Sequence, residues 1–337
     1  MSITQSAGAR RAALGTPDWL EPELATLTKD RFSDPAWLYE RKLDGERCIA
    51  YRSGDQVLLM TRNRQDVSGT YPELRDALAA QPPAEFVCDG EVVAFDGAAT
   101  SFSRLQRRLG VRQPDEALRR QVPVYYYVFD LLYAQDRDIR PQPLRERKRL
   151  LRELLSFGDP LRYTEHRDGD GEEYFEQACQ QGWEGLIAKR ADAPYRSGRT
   201  RDWLKFKCQN SQEFVIGGYT DPKGSRTHFG ALLLGYYDQD GRLAYAGKVG
   251  TGFSDATLAS LGRALRELER GDPAFDRDLL PRSSDGGPPR SGVHWVEPRL
   301  VAQVGFTEWT GGGQLRHPRF LGLREDKVPA SVVREMA

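Results

Sequence analysis

Lysine, arginine and carboxylate side chains recur at short spacings along this chain, and one of these lysines could act as a nucleophile. The segment ERKLDGERC, residues 40–48, places Lys42 two residues before an Asp-Gly pair and Arg47 just after it. An Asp-Gly pair between two strand-like runs is first of all a hairpin signal, which makes Lys42 a solvated turn lysine. A lysine amine can also act as a nucleophile. The segment by itself leaves both interpretations open.

Four further segments combine charged residues with strand-like apolar runs. Two contain a carboxylate at the start of such a run, one contains two lysines that a strand would direct to one face, and one is a charged cluster near the end of the chain. The residues are Glu91 in DGEVVAF, Glu184 in WEGLIAKR, Lys205 and Lys207 in DWLKFKC, and Arg324 and Lys327 in LREDK. A strand-edge carboxylate, a solvated strand face or a surface charge run explains each segment when it is taken alone.

The elements that must position these residues are a mixture of strands and helices. The runs CIAYR, QVLLMTR, EFVCDGEVVAF and VPVYYYVFDLLY are strand-like and are separated by Gly, Asp and Pro turns. The runs YPELRDALAAQ and PLRERKRLLRELLSF carry apolar residues at helical spacing. The pattern predicts an α+β fold with mainly antiparallel sheets.

The pattern changes after Cys208. Several short strands with Gly-rich turns follow, together with one helical stretch, SDATLASLGRALRELER. Short strands with one helix are typical of a small Greek-key barrel such as an OB-fold. We therefore predict a flexible tail over residues 1–16, a first domain over residues 17–208 and a second domain over residues 209–337.

Composition narrows the class of protein. The 337 residues include 49 Lys and Arg and 49 Asp and Glu, so the formal net charge is zero, which argues against a strongly basic nucleic-acid-binding tail but allows a basic face. We find no apolar run long enough to span a membrane and no secretory signal, so we expect a cytoplasmic protein without a membrane partner. The four cysteines are far apart and form no C-x-x-C pair, which predicts neither a zinc site nor a disulfide framework.

Taken together and in order, the charged segments resemble a known set of motifs. These are K-x-D-G-x-R, D-G-E, F-D-L-L, E-G-x-x-x-K, W-x-K-x-K and R-x-D-K, which run from about Trp37 to Val333. The chain resembles the covalent nucleotidyltransferases, which include ATP-dependent DNA ligases, RNA ligases and capping enzymes. EFVIGGYTDPKGSRTHFGALLLGYYD, YAGKVGTGF and HPRFLGLREDK are most similar to the ligase domain of bacterial ligase D. The resemblance implies a nucleotidyltransferase domain with ATP-grasp-like antiparallel sheets and helices, followed by an OB-fold β-barrel domain.

The resemblance implies a reaction in three steps. Lys42 attacks ATP and becomes adenylylated, AMP passes to a DNA 5′-phosphate, and a 3′-hydroxyl then seals the break and releases AMP. ATP and Mg²⁺ are the implied cofactors, with Mn²⁺ as an alternative. Glu184 is the implied metal-side carboxylate, and Glu91 contacts the ribose or a metal-bound water. We expect Lys205 and Lys207 to lower the pKa of Lys42 and to neutralise charge in the transition state.

The same resemblance implies contacts to the nucleotide. Arg47 matches the arginine that contacts the ribose and the phosphate at a nick, and Phe129 matches the aromatic residue that stacks on adenine. A core aromatic residue in a strand is the alternative for Phe129. Glu40 matches the position whose neighbouring backbone reads the adenine edge. Lys189 and Arg62 are implied phosphate contacts, and the phosphate that Arg62 would contact belongs to the nucleic acid.

The second domain has an implied role in the first step. Arg324 and Lys327 match the motif that reaches the pyrophosphate leaving group, and the domain must then move to admit DNA. We therefore expect a hinge near residues 207–212. The segments SRLQRRLG and KGSRTHFG are candidate DNA phosphate contacts, although a solvated helix face and a turn are their alternatives. Their basic residues are Arg104, Arg107, Arg108, Lys223 and Arg226.

The expected partner is nicked or broken double-stranded DNA. Ligase D usually carries polymerase and phosphoesterase domains, and we find no room for them in these 337 residues, so Ku and a separate end-processing polymerase are expected in trans, with this chain a monomer. Gln303 and Gly305 in VAQVGF stand where family members often show an acidic V-E-V segment. An RNA ligase or capping guanylyltransferase is the nearest alternative function, and a non-catalytic DNA-end-binding module is another.

Overall fold

The structure is a computed structural model that describes residues 19–224, 226–281, 287–289 and 291–335. The predicted tail over residues 1–16 lies outside the described residues. The chain divides between Cys208 and Gln209 into two compact units, which we call unit 1 and unit 2. Within the described ranges, no helix combines the length and apolar character that crossing a membrane requires.

Unit 1 consists of two large β-sheets and one two-stranded sheet, flanked by helices. Its strands are β1 (Glu23–Leu27), β2 (Trp37–Arg41), β3 (Glu46–Ser53), β4 (Gln56–Thr61), β5 (Glu85–Val93), β6 (Phe95–Asp96), β7 (Ala99–Thr100), β8 (Tyr125–Ala134), β9 (Arg137–Asp138), β10 (Leu161–Tyr163), β11 (His166–Asp168), β12 (Gly185–Arg190) and β13 (Gly198–Lys207). Its helices are α1 (Pro72–Ala79), α2 (Phe102–Leu105), α3 (Glu116–Gln121), α4 (Leu144–Leu154) and α5 (Gly171–Gln180).

The two large sheets of unit 1 are mostly antiparallel, as the sequence predicts. Sheet 1 has the strand order β1-β13-β12-β2-β11, and sheet 2 has the order β10-β8-β5-β3-β4, with β9 paired to β8. Parallel pairing occurs between β1 and β13 and between β8 and β10. The core of sheet 2 is completed by α1, which buries Leu74 and Leu78, because residues four apart share one face of a helix.

Unit 2 is a sheet with one longer helix. Its elements are β14 (Asn210–Thr220), β15 (Leu232–Tyr237), β16 (Leu243–Val249), α6 (Asp255–Glu267), β17 (Glu269–Arg270), β18 (Val293–Val296), β19 (Val301–Phe306), β20 (Glu308–Trp309), β21 (Leu315–Arg316) and β22 (Arg319–Leu323), with short 3-10 turns at Arg277–Leu279 and Pro329–Ser331. The sheet has the order β16-β15-β14-β18-β17, and β19 joins β14 to β22. The pairings of the described residues do not close into a barrel. Ser254 caps α6 by accepting a hydrogen bond from the Thr257 amide at 3.2 Å.

The Asp-Gly pair after Lys42 is not a hairpin turn. The strand before it, β2, pairs with β11 and β12 in sheet 1, whereas the strand after it, β3, pairs with β4 and β5 in sheet 2. The hairpin interpretation is therefore wrong, because β2 and β3 do not pair with each other and belong to different sheets. Gly45 is required by close packing, since a Cβ atom there would lie 2.1 Å from the Val92 carbonyl oxygen.

Two cysteines form a disulfide, which corrects the expectation that the chain has none. Cys179 at the end of α5 is bonded to Cys208 just after β13, with the two Cα atoms 5.4 Å apart. The residues are remote in sequence, but antiparallel pairing of β12 with β13 returns the chain to the end of α5. The other two cysteines, Cys48 and Cys88, are free and buried. Spacing along the chain could not reveal this pair, because the sheet pairing brings it together.

Loss of this disulfide is expected to destabilise unit 1. The bond closes a loop with a sequence separation of 29, which corresponds to about 3–4 kcal/mol of loop-closure entropy in the unfolded chain. We expect Cys208→Ser, or reduction of the wild type, to lower the free energy of unfolding by that order in urea denaturation. The Cys208→Ser variant itself should not respond to reductant. A wild type with equal stability in both redox states would contradict the assignment.

Candidate active site

The side chain of Lys42, just after the end of β2, contacts that of Glu184, just before β12. The Lys42 ammonium lies 2.5 Å from Glu184 Oε2, and both side chains are 19% exposed. The Lys42 amide also donates to the Gly185 carbonyl at 2.9 Å. Only glycine fits at position 185, because its φ is +145° and a Cβ atom would lie 1.8 Å from the Phe206 carbonyl oxygen. The E-G pair of the sequence thus places a carboxylate directly on the lysine.

The charge state of Lys42 differs from the sequence-based expectation. Burial lowers the pKa of its ammonium, but the charge of Glu184 and its hydrogen bond raise it, and the net pKa lies above the ordinary lysine value. The expected lowering by Lys205 and Lys207 is not found in this structure, because the carboxylate is the dominant neighbour. A nucleophilic Lys42 must therefore lose a proton that Glu184 stabilises.

We expect the nucleophilicity of Lys42 to rise with pH through the alkaline range. Its pKa is raised above the ordinary value, so the neutral amine is a minor species at neutral pH and gains about tenfold per pH unit below that pKa. Competitive labelling with acetic anhydride, read at the Lys42 peptide by mass spectrometry, measures this pKa directly. The Glu184→Gln variant should shift the labelling profile to lower pH. An unchanged or upward-shifted profile would show that Glu184 does not hold the proton.

Lys205 and Lys207 share one face of β13, as predicted. In the registers of sheet 1, Lys205 is paired with Ile187 and Lys207 with Gly185, and both lysine side chains are half-buried. Ile187 is in turn paired with Glu40 of β2. Because paired residues point to the same face, Lys205, Ile187 and Glu40 form one row across three strands. This row brings both lysines to the side of sheet 1 that carries Glu40.

Glu40 is buried between two lysines. Its Oε1 atom lies 2.5 Å from the ammonium of Lys148, and its Oε2 atom lies 2.6 Å from that of Lys189. All three side chains are at most 2% exposed. Burial raises the pKa of Glu40, but the two lysines together lower it by more than burial raises it. The net pKa is therefore lowered and the carboxylate is charged. Lys148 also donates to the Thr164 carbonyl at 3.0 Å.

The ring of Phe129 is covered by its neighbours. It packs edge-on against Trp203 with 5.9 Å between ring centroids, and the ammonium of Lys189 lies 4.1 Å from the Phe129 centroid and 4.0 Å from that of Trp203. Phe129 is 7% exposed. Stacking of adenine on Phe129 and contact of Lys189 with phosphate stay predictions. Both contacts would require a shift of the cations that lie over the Phe129 ring, Lys189 and Arg47.

Arg47 is held in a fixed orientation beside Glu91. Its Nε donates to Asp89 Oδ1 at 2.7 Å and its Nη2 to Asp89 Oδ2 at 2.5 Å. Arg47 of β3 is paired in register with Glu91 of β5. Its guanidinium carbon lies 4.7 Å from the Phe129 ring centroid and 5.4 Å from that of Trp203, which joins sheet 2 to sheet 1.

The donor set suits a hard cation held by few protein ligands. Among the described residues, no cluster of three or more His, Cys, Asp or Glu side chains could enclose a metal. Mg²⁺ keeps several waters and needs only one or two carboxylates together with phosphate oxygens. Two carboxylates fit that requirement. One is Glu184, whose Oε2 atom is paired with the Lys42 ammonium, and the other is Glu91 on the strand beside Arg47.

Comparison with known proteins identifies the family. The family model described as "ATP dependent DNA ligase domain" matches residues 22–207, and the model "ATP dependent DNA ligase C terminal region" matches residues 225–327. The first match alone covers more than half of the chain. The chain belongs to the ATP-dependent DNA ligase family. The predicted fold, a nucleotidyltransferase domain followed by an OB-fold domain, is confirmed at the level of this family.

Individual relatives of this ligase chain agree with the family. It is 40% identical over 337 residues to "Multifunctional non-homologous end joining protein LigD" of Pseudomonas aeruginosa, a match that covers 97% of this chain and 38% of the relative. It is 38% identical over 322 residues to LigD of Mycobacterium tuberculosis, covering 94% of this chain and 40% of the relative. The solved structure "mycobacterial DNA ligase D complexed with ATP and MES" matches with a TM-score of 0.66 and 36% identity, covering 94% of this chain and 98% of that one. The chain thus spans about two fifths of the length of these curated relatives.

In unit 2 of this ligase, the predicted basic residues Arg324 and Lys327 contact acidic side chains, one of which, Glu213, lies on β14. Arg324 donates to both carboxylate oxygens of Asp326 at 2.8 Å, and the Lys327 ammonium lies 3.1 Å from Glu213 Oε1. Arg324 is 10% exposed. Gln303, one of the two departures from the family pattern, is paired in register with Glu213, and its Oε1 atom has no hydrogen-bond partner within the described part of the chain. Contact of Arg324 and Lys327 with pyrophosphate stays a prediction.

The predicted DNA contacts of the ligase fall into two groups. Arg62, Arg107 and Lys223 are exposed, as contacts to a DNA backbone require. Arg104 instead donates to the Gln121 carbonyl at 3.1 Å, and Arg226 donates to the Gly250 carbonyl at 2.5 Å. These two side chains support local structure, although both are only half-buried. All five assignments stay predictions.

One predicted DNA contact is wrong. Arg108 is fully buried, forms an ion pair with Glu73 at 2.8 Å, and donates to the Thr70 and Val122 carbonyls. It therefore joins α1 to the segments around it. The sequence held a signal, because Arg108 lies three residues after the buried Leu105 and so on the apolar face of its turn.

Sequence reasoning also missed residues that shape the ligase site. Asp89 is the first residue of the D-G-E motif, and the motif itself could have identified it. Lys148 lies on α4 between the buried Leu144 and Leu151 at helical spacing, so a charged residue on an apolar face was its signal. Tyr195 donates to Asp89 from a loop, and no pattern in the sequence indicates this contact.

Proposed function

We propose that this chain seals breaks between a 5′-phosphate and a 3′-hydroxyl in DNA, carrying AMP on Lys42. The observation that carries the proposal is the contact of Lys42 with Glu184 at 2.5 Å in a chain of the ATP-dependent DNA ligase family. Lys42 is accessible enough to react, and a carboxylate controls its proton. A solvated turn lysine would have no such partner.

The chemistry balances in three displacements at phosphorus. The neutral Lys42 amine forms a P–N bond to the α-phosphate of ATP, pyrophosphate leaves, and the nitrogen releases one proton to water. The 5′-phosphate of DNA then forms a P–O bond to the AMP phosphorus and the Lys42 amine leaves with a proton. A 3′-hydroxyl finally forms a P–O bond to the 5′-phosphate, its proton passes to water, and AMP leaves. Each step concentrates negative charge at phosphate oxygens, which the cations of the site would neutralise.

The residues of unit 1 take distinct roles in this proposal. Glu184 stabilises the proton on the Lys42 ammonium by charge and hydrogen bonding, and Lys205 and Lys207 direct positive charge from one face of β13 to the phosphates. Bound Mg²⁺ would neutralise phosphate charge and compete with Lys42 for Glu184. Arg47 contacts the AMP ribose and later the DNA 5′-phosphate.

The pathway and partners are proposals drawn from relatives. LigD of Pseudomonas aeruginosa is named for non-homologous end joining, but this chain covers only 38% of it. We propose repair of double-strand breaks in the bacterial cytoplasm, with a monomer that works beside Ku and an end-processing polymerase. The Cys179–Cys208 bond is unusual for this location, because structural disulfides are rare in reducing cytosol.

The decisive experiment is intact mass measurement after incubation with ATP and Mg²⁺. The protein is first treated with pyrophosphate to remove any AMP it already carries. A gain of one AMP, mapped to the peptide that contains Lys42, would support the proposal, and sealing of a nicked DNA duplex would complete it. Failure of the stripped protein to gain any nucleotide would overturn it. Gain of GMP from GTP, or sealing of RNA nicks alone, would favour a capping enzyme or an RNA ligase. Nick binding without a covalent nucleotide would favour an end-binding module.

Arg324 is expected to act in the first step only. If it aligns the pyrophosphate leaving group, Arg324→Ala should slow adenylylation by about 10²-fold or more while sealing of pre-adenylylated DNA changes little. The two rates are measured separately, with ATP and with a pre-adenylylated nick. Arg316→Ala, which removes an exposed arginine paired with Glu308, is the matched control. Equal losses in both assays would contradict the role.

A further inference from the structure

The guanidinium of Arg47 is held by hydrogen bonds along one edge and lies close to two aromatic rings. Asp89 accepts hydrogen bonds from Nε and Nη2, and the Glu23 carbonyl accepts a further one from Nη2 at 3.1 Å. The rings of Phe129 and Trp203 lie within 5.4 Å of the guanidinium carbon. The side chain is still 19% exposed, so its remaining Nη1 edge can meet a ligand. The orientation of that edge depends on Asp89.

Tyr195 is a second hydrogen-bond donor to Asp89. Its hydroxyl donates to Asp89 Oδ2 at 2.5 Å and accepts from the Glu23 amide at 2.9 Å. Asp89 is fully buried and Tyr195 is 6% exposed. Oδ2 of Asp89 therefore receives hydrogen bonds from both Tyr195 and Arg47. Burial and the Asp89 charge raise the pKa of Tyr195 well above its usual range, so the hydroxyl stays a donor.

The Tyr195 ring is itself held by the elements around the site. Its amide donates to the Arg140 carbonyl at 2.8 Å, and its ring packs edge-on against Trp203 at 5.9 Å. Trp203 also covers Arg47. Tyr195 is therefore linked to Arg47 indirectly, because both residues contact the carboxylate of Asp89 and the indole of Trp203.

We propose that Tyr195 is a positioning residue for Arg47, acting through Asp89, and this rests on the proposed ligase function. Without the Tyr195 hydroxyl, the Asp89 carboxylate loses one of the hydrogen-bond donors that define its orientation. The Arg47 guanidinium, which is bound to that carboxylate, then rotates with it. Displacement of a positioned group by about 1 Å can slow a reaction about 10²-fold while binding changes little. We therefore expect the loss in the rate constant of the chemical steps rather than in the KM for ATP.

The variant Tyr195→Phe tests this, and Tyr71→Phe is its matched control. Tyr71 also donates to a buried carboxylate, Glu46 Oε2 at 2.7 Å, and is fully buried in the same unit. Both variants lose a buried tyrosine–carboxylate hydrogen bond, so both should lose stability. Only Tyr195→Phe should slow single-turnover adenylylation and AMP transfer to a nick, by about 10- to 100-fold, with KM for ATP within about twofold. Equal rate losses in both variants would overturn the positioning role.

A double-mutant cycle separates action through Arg47 from general damage. If Tyr195 acts through Arg47, adding Tyr195→Phe to Arg47→Ala should cost no further rate. Independent, multiplying losses would overturn the proposal. If Tyr195→Phe does not fold, Asp89→Asn tests the same connection and should affect the same steps as Arg47→Ala, and a wild-type rate in Asp89→Asn would likewise overturn it.

The cycle also distinguishes this inference from the proposed function. A wild type that gains no AMP would remove the proposed function itself. A wild type that gains AMP, an Arg47→Ala variant that is slow and a Tyr195→Phe variant at the wild-type rate would overturn the Tyr195 inference alone.

Discussion

Lys42→Arg is expected to abolish adenylylation while the protein stays folded. Arginine keeps the positive charge and can keep the ion pair with Glu184, which is 2.5 Å from the lysine in the wild type. It cannot supply a neutral amine, because the guanidinium does not deprotonate at accessible pH. We expect no AMP adduct by intact mass at any pH that the wild type tolerates, and thermal unfolding close to that of the wild type.

The same variant separates the first steps from the last. Sealing of a pre-adenylylated nick needs no amine, so Lys42→Arg should retain most of that activity. Loss of sealing together with adenylylation would point to a different role for Lys42, and an AMP adduct in Lys42→Arg would place the nucleophile elsewhere. Lys29→Arg, which changes an exposed lysine outside the site, serves as the control substitution.

Asp130→Asn is expected to cause the largest loss of stability. Asp130 accepts from Arg147 Nε at 2.7 Å and from Nη2 at 2.8 Å, and both side chains are fully buried. Arg147 also donates to the Gln142 and Ala193 carbonyls, so it joins α4 to two neighbouring segments. Removing one charge of a buried pair leaves the other uncompensated, which costs about 3–5 kcal/mol.

Urea denaturation of Asp130→Asn measures this cost, and an exposed pair provides its control. Arg145 on the same helix is paired with Asp168, and both side chains are about half exposed, at 49% and 53%. Asp168→Asn should therefore change the free energy of unfolding by less than about 1 kcal/mol. If the two variants prove equally stable, the Asp130–Arg147 pair does not stabilise the fold as its burial indicates.

Much of the local structure was predictable because it depends on short periods in the sequence. Leu74 and Leu78 are four apart and form the buried face of α1, and Lys205 and Lys207 are two apart and share a face of β13. The candidate catalytic residues were predicted because six motifs occurred in one order. Neither inference needed a contact between remote parts of the chain.

The errors share one physical cause. The hairpin after Lys42, the unpaired Cys179 and Cys208, and the DNA-contacting Arg108 were each inferred from neighbours in sequence. The structure shows instead that β2 and β3 belong to different sheets, that pairing of β12 with β13 joins the two cysteines, and that Arg108 is buried against Glu73. Each outcome depends on partners that lie tens of residues away.

The sequence by itself determined the α+β class, the strands and helices that carry the motifs, and the family to which the chain belongs. These depend on residue type and local spacing. The tertiary structure alone decided the protonation of Lys42, the pairing of Glu40 with two buried lysines, and the fixing of Arg47 by Asp89 and Tyr195. The reason is that pKa values and side-chain orientation are set by burial and by charges within a few ångströms, and those groups come together only when strands, helices and loops remote in sequence pair and pack.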